Sequence, residues 1–201
     1  MQQALDFLSQ KEPIFKTIIE TIGLPTIPSR PQGFPTLVLL ILEQQVSIDS
    51  AKATFNKLKT LSDLSAESLS VLTDEAFRSV GVSRQKTNYI KGLAHAVLDR
   101  TIDLESLPLK PAGQVREELI RLKGIGNWTI DVYLMFCLQS PDIIPLGDIA
   151  VVNTIKELLD IHEKGAMEKY VENWAPYRSM ATYLLWHHYL HKRNRKVEYS
   201  L

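Results

Sequence analysis

The chain has 201 residues, 45% of them hydrophobic and 23% charged, enough apolar material for one sizeable core or two small lobes. Lys plus Arg and Asp plus Glu both number 23, so bulk charge does not point to nucleic acid. Any such contact has to come from local placement of charge and of backbone N–H groups. The one cysteine, Cys137, excludes an intrachain disulfide framework and a cysteine-built zinc site or iron–sulfur cluster. The N-terminal stretch MQQALDFLSQKEPIF lacks the basic and apolar regions of a secretory signal. The apolar run of residues 37–42 is far too short to span a bilayer. A soluble intracellular protein with no membrane partner is expected.

Taken in chain order, almost every segment carries helical periodicity. Residues 4–22 predict helix with a break at Pro13. Residues 21–35 hold Pro25, Pro28, Pro31, Pro35, Gly23 and Gly33 and predict a linker, because proline removes donors and fixes the backbone. Residues 36–46 are strongly apolar and predict a buried helix, and 50–58 an amphipathic one. Residues 65–72 and 74–80 begin with polar N-capping residues, and Gly81 stops the second. Residues 84–98 and 111–122 are amphipathic, the latter with proline near its first turn, where a missing N–H costs little. Residues 128–138 are apolar nearly all round and belong at the centre. Residues 148–159, 166–174 and 177–191 complete the set. No alternating strand pattern interrupts them, so the class is all-α.

The most informative stretch is residues 119–133, LIRLKGIGNWTIDVY. A helix ends near Leu122, LKGIG reverses the chain, and a new helix starts near Asn127. Two glycines two apart permit a tight reversal and a close external approach to the backbone. The first N–H groups of the second helix have no partner within it, and with the helix dipole they suit a phosphate. A bare GxG turn is also compatible with an ordinary helical hairpin.

The segment LKGIGNWTIDVYLMF resembles the hairpin of the helix-hairpin-helix DNA glycosylases. Asp148 follows Gly126 by 22 residues, within IIPLGDIAVVNTI, a segment similar to the one that carries that family's catalytic aspartate. Upstream, ILEQQVSIDSAKATFNKL is similar to the family's IxxQQVS helix. Downstream, WAPYRSMATYLLWH resembles the W-x-P-[WY]-R-S-x-A segment of the 3-methyladenine DNA glycosylase II branch. The four blocks run in the family's order and cover most of residues 36–188.

The resemblance implies a two-lobed helical bundle (one glycosylase domain over 1–201, with lobes of about 36–110 and of 1–35 plus 111–201) and an active-site cleft between the lobes. It implies a compact form without the β-rich N-terminal domain of longer relatives. Asp148 would be the catalytic carboxylate, although by position alone it reads as the N-cap of the next helix; the two roles are compatible. Gln45, with Gln44 beside it, falls at the position that wedges into the duplex, although both amides could instead bond within the bundle. Trp128, Tyr133 and Trp186 would line the base pocket, core packing being the alternative for each ring. Lys123, Gly124, Ile125, Gly126, Asn127 and Thr129 would form the hairpin that contacts the DNA backbone, with a local basic face extended by Arg84, Lys86 and Lys91. Arg178 would be structural, paired with a carboxylate near the site, a solvated surface arginine being the open alternative.

Two departures from the family bear on activity. Trp128 stands where the bifunctional members carry their Schiff-base lysine and cannot form an imine, which implies hydrolysis without strand cleavage. Val132 stands at a position that is a stacking aromatic in better-known relatives, which implies a wider pocket or a different substrate range. No cofactor is required by this reading; a structural Na+ or K+ on the backbone carbonyls of Ile120, Leu122 and Ile125 is compatible with it. His187 and His191 lie one helical turn apart, but the residue after the first is His188 rather than the Glu a zinc hydrolase needs. The expected partner is double-stranded DNA containing damaged bases, bound by a monomer. The expected reaction is removal of alkylated purines, 3-methyladenine and 7-methylguanine. A glycosylase for deaminated or mismatched bases, and a non-catalytic DNA-binding module, remain open alternatives.

Overall fold

The computed structural model describes residues 1–197, and among them only helices, turns and loops occur. The elements are α1 (Gln2–Lys11), α2 (Pro13–Ile22), α3 (Phe34–Glu43), α4 (Ile48–Leu61), α5 (Ala66–Val71), α6 (Asp74–Ser79), α7 (Arg84–Leu98), α8 (Ala112–Leu119), α9 (Asn127–Phe136), α10 (Ile149–Leu159), α11 (Lys164–Tyr170) and α12 (Arg178–Lys192). Short 3-10 turns at Leu107–Leu109 and Val171–Trp174 were not expected from the periodicity. The second of them finishes the helix predicted over 166–174.

Helix starts follow side-chain chemistry. The side chains of Ser47, Ser65, Thr73 and Ser83 each accept a backbone N–H from the first turn of α4, α5, α6 and α7, and caps of this kind contribute about 1 kcal/mol each. Pro13 occupies the first turn of α2, and Glu12 before it is extended, which separates α1 from α2 where the break was expected. Three helices end earlier than their apolar pattern suggests, α9 among them, at Phe136 rather than at 138. α3 stops at Glu43 rather than at 46, because Gln44 is extended and Gln45 has φ 59°. α8 stops at Leu119 rather than at 122.

The chain forms two compact units. The first comprises, among the described residues, Met1–Ser29 and residues 134–197. In it α12 packs on α10 and α2, and α1 packs on α2. Its core includes Leu8, Phe15, Val151, Ile155, Trp174, Leu184 and Leu185, all at most 1% exposed. The Trp174 ring meets Phe15 edge-on with centroids 5.0 Å apart, a geometry that adds roughly 0.5–1.5 kcal/mol beyond area burial. The second unit is Arg30–Tyr133, where α3 packs on α4 and α7, and α5 on α7. The boundary therefore falls after Tyr133 and not at the expected 110/111: the hairpin belongs with the middle of the chain. The reason is polar bonding, since Gln44 binds the hairpin at Gly124 and Thr129, and the backbone N–H of Gly33 donates to the hydroxyl of Tyr133. Residues 30–33, expected to be plain linker, are part of that unit.

Within it Arg30 and Glu43 form a two-pronged pair, Nη1 to Oε2 at 2.9 Å and Nη2 to Oε1 at 2.7 Å, with side chains 1% and 4% exposed. Removing one partner of a buried pair strands the other charge, so Glu43→Gln is expected to destabilise the protein by roughly 3–5 kcal/mol. Urea unfolding followed by circular dichroism checks this; a loss below about 1 kcal/mol would mean that water reaches the pair.

Candidate active site

Asp148 is the N-cap of α10, as its position suggested. Its Oδ1 accepts the backbone N–H groups of Ala150 at 2.9 Å and Val151 at 3.1 Å. A third donor, the indole Nε1 of Trp186 on α12, reaches the same oxygen at 3.1 Å. Three donors from two helices thus fix the orientation of one carboxylate that remains half-buried rather than sealed. The Trp186 ring stands edge-on to Phe136, with centroids 5.8 Å apart, and is tilted against Tyr183 at 6.2 Å. Tyr183 donates its hydroxyl to the Met135 carbonyl, and burial pushes the phenol well above its ordinary pKa. Phe136 and Tyr183 were not singled out by sequence reasoning; their apolar neighbours made them look like plain core.

The loop that delivers Asp148 is fastened by the start of α12. Arg178 binds Asp142 through Nε to Oδ1 and Nη2 to Oδ2, both at 2.7 Å. The Ser179 hydroxyl donates to the Ser140 carbonyl at 2.6 Å and accepts from the Ile143 N–H at 3.0 Å. The expectation that Arg178 pairs with a carboxylate thus finds its partner in Asp142. The histidines form no metal site: His187 contacts the Ile22 carbonyl, and His188 contacts Glu157. Among the described residues no cluster of His, Cys, Asp or Glu could hold a metal ion.

In the second unit the hairpin residues divide by exposure. Lys123, Gly126 and Asn127 are exposed, whereas Ile125 and Thr129 are buried. The Thr129 hydroxyl accepts from Gln44 and is used within the fold. Gly124 has φ +91°, and a Cβ there would lie 2.2 Å from the Tyr89 ring; a Cβ on Gly126 would meet nothing within 4 Å. The two glycines therefore serve different ends: the first lets α7 pack on the hairpin, and the second keeps the outer backbone approachable. Arg116 on α8 bonds Asp131 and Asn127 on α9, closing the hairpin's base. Burial pushes the Asp131 carboxyl up, and Arg116 opposes that shift.

Of the two glutamines, Gln44 bonds inside the unit, and Gln45 is exposed in the left-handed region. Trp128 is half-buried. Tyr133 is fully buried, with its hydroxyl accepting from Gly33, and Val132 is 3% exposed. The expected basic face is corrected in two places. Lys86 turns inward to the carbonyls of Leu42 and Gln44 at 2.7 and 2.9 Å, and Lys91 pairs with Asp74 at 2.6 Å. Arg84 and Lys123 remain, and with Gln85, Asn88 and Tyr89 they line an open depression of about 410 Å³.

A helical hairpin with an approachable glycine backbone and a carboxylate clamped at a helix start are the two features that the comparisons with known proteins place in a family. A family model described as "HhH-GPD superfamily base excision DNA repair protein" matches residues 38–176, and the chain belongs to that superfamily. It is similar over 94% of its length to the crystal structure of a DNA-3-methyladenine glycosidase from Bacillus halodurans (TM-score 0.80, 31% identity, 89% of that chain covered). It is also similar to the 3-methyladenine DNA glycosylase Mag1 of Schizosaccharomyces pombe in complex with abasic DNA (TM-score 0.82, 26% identity, 92% of this chain and 95% of that one). A DNA-3-methyladenine glycosylase of Bacillus subtilis is 28% identical over 60% of this chain, but only 41% of that relative's length is spanned.

Two outcomes are expected. Gly124→Ala lowers thermal stability, because it combines a disfavoured backbone with a steric overlap, whereas Gly126→Ala leaves it within about 1 kcal/mol; equal melting of the two variants would contradict the assignment. The Arg178 guanidinium beside Asp142 holds that carboxyl below the usual carboxylate range. A depressed folded-state pKa contributes stability that is present above the unfolded value of about 3.9 and is lost as pH falls through the folded value. Asp142→Asn therefore lowers Tm at pH 7 and flattens the decline of Tm below about pH 4, read from melts across pH 2–7.

Proposed function

We propose that the protein is a monofunctional DNA glycosylase that hydrolyses the N-glycosidic bond of alkylated purines, 3-methyladenine and 7-methylguanine, flipped out of duplex DNA. The observation that carries this reading is Asp148, clamped on one oxygen by Ala150, Val151 and Trp186, in a chain of the base-excision superfamily.

A base within the stack is out of reach of a side chain, so the nucleotide has to be extruded. In the reaction the bond between C1′ and the purine nitrogen breaks, its electron pair leaves with the base, and positive charge develops on the sugar. A fixed carboxylate beside the sugar stabilises that charge. Water then adds to C1′ and gives up a proton toward Asp148, leaving an abasic site. Alkylation places positive charge on the purine, so the base departs neutral and no strong general acid is needed. Aromatic faces attract such a cation, a role for Trp186 beside Asp148. Trp128 has no amine with which to form an imine, so the product strand stays intact.

The DNA backbone is held by the hairpin: Lys123, Gly126 and Asn127 present charge and approachable backbone to a phosphate, and Arg84 adds a second cation. Gln45, exposed beyond the end of α3, fills the space the base leaves. A monovalent cation suits the carbonyls of Ile120, Leu122 and Ile125. Leu122 already accepts the Ile125 N–H at 3.0 Å, and a carbonyl oxygen has a second lone pair for an ion. Its charge would support phosphate binding at the turn.

The test is release of free bases from methylated duplex DNA. The wild type is expected to release 3-methyladenine and leave intact abasic strands. Asp148→Asn, which keeps a good N-cap residue, is expected to fold, bind DNA and release base at least about a hundredfold more slowly. Binding without release would make the protein a DNA-binding module, and release only of deaminated or mismatched bases would reassign the substrate.

A further inference from the structure

Lys86 is a half-buried basic side chain whose ammonium is committed to main-chain carbonyls. Its Nζ donates to the Leu42 carbonyl at 2.7 Å and to the Gln44 carbonyl at 2.9 Å. Leu42 is in the last turn of α3, where carbonyls have no partner within the helix and where the helix dipole favours a cation. Lys86 therefore caps α3 from a different helix, α7. Burial pushes its ammonium below the ordinary lysine pKa, a cost the fold sustains at this one point.

What it caps matters. Gln44 is held by its main-chain carbonyl to Lys86, and by its side-chain Nε2 to the hairpin, on the Gly124 carbonyl at 2.8 Å and the Thr129 hydroxyl at 3.1 Å. The next residue is Gln45, exposed and left-handed with φ 59°. For a residue with a Cβ that backbone costs roughly 1–2 kcal/mol, and it persists only where the surroundings over-determine it. One helical turn along α7, the Tyr89 ring lies against Gly124. A single face of α7 thus holds both the hairpin and the residue that precedes Gln45.

We propose that Lys86 is a positioning residue that couples the hairpin to Gln45, so that a duplex seated on the hairpin meets Gln45 already set for insertion. The inference rests on the glycosylase reading and adds to it the element that transmits force to the wedge. A side chain pushed into a base stack is pushed back, and the reaction passes through the main chain of Gln44 to Lys86 and the hairpin. Without Lys86 the end of α3 relaxes and Gln45 can leave the left-handed region, while the phosphate-facing side of the hairpin is unchanged.

The experiment compares wild type, Lys86→Met and Lys86→Arg. It measures affinity for an undamaged duplex, affinity for a duplex carrying a tetrahydrofuran abasic analogue, and single-turnover base release from methylated duplex at saturating protein. Lys86→Met is expected to lose about tenfold in preference for the abasic-analogue duplex and in single-turnover rate. Its affinity for undamaged duplex, and the salt dependence of that affinity, are expected to stay within about twofold of wild type. Lys86→Arg keeps a donor cation and is expected to restore most of the loss. An unchanged preference in Lys86→Met, or a parallel loss on undamaged duplex that marks a merely structural role, would overturn the inference. If Lys86→Met melts too low for assay, Gln44→Met cuts the link to the hairpin and leaves the cap; it is expected to show the same selective loss, and an unchanged preference overturns the coupling. Wild-type protein with neither base release nor abasic preference sinks the glycosylase reading and this inference together. Normal wild-type release with an indifferent Lys86→Met sinks this inference alone.

Discussion

The second unit depends on how α3 ends. Its body is a run of buried aliphatic side chains, and its last residues bond three other parts of the unit. Glu43 takes the Arg30 guanidinium and draws the preceding linker into the unit. Leu42 and Gln44 take Lys86 from α7. Gln44 takes the hairpin. A helix terminus buried without partners would be costly, since each orphan carbonyl forfeits a bond to water. The solution here uses three separate segments, and each gains a fixed place by supplying a partner.

In the first unit the equivalent constraint is the start of α10. Asp148 satisfies two N–H groups of the helix it begins and takes a third bond from Trp186. A carboxylate that caps a helix is held in place by the folding energy of the helix itself. Tyr183 and Phe136 stand behind the indole, so the orientation of Trp186 is set by packing. Arg178 and Ser179 at the start of α12 fix the loop before Asp148. The W-x-P-[WY]-R-S segment is thereby explained: its arginine and serine act on the chain that leads to the carboxylate.

Much of the secondary structure was legible because its determinants are local. Ser65, Thr73, Ser83 and Asp148 mark helix starts by their own hydrogen bonding, Pro13 marks a break, and α7 agrees with its apolar spacing, whereas the cap Ser47 starts α4 two residues before the expected 50. The errors share one cause. The apolar pattern around α3 continues past Glu43, and that around α8 past Leu119, and nothing local announces a left-handed Gln45. Likewise an exposed basic face was the natural expectation for Lys86 and Lys91, since a lysine that bonds main-chain carbonyls or an aspartate on another helix gives no signal along the chain. Tyr133 and Thr129 sit in a segment that looked functional and prove to be interior.

The sequence by itself determined that the protein is helical, roughly where its helices lie, and which turn could approach a phosphate. These follow from side-chain capping, period, glycine content and chemical type, all of which are properties of short stretches. Only the tertiary structure decided which of Gln44 and Gln45 is committed inside, that Arg30 belongs to the core of a unit, that Tyr89 requires Gly124 to lack a side chain, and that Trp186 bonds Asp148. Each of these joins residues 13 to 85 positions apart or depends on a steric overlap between distant segments. Bonds and overlaps of that kind exist only once the intervening helices have packed.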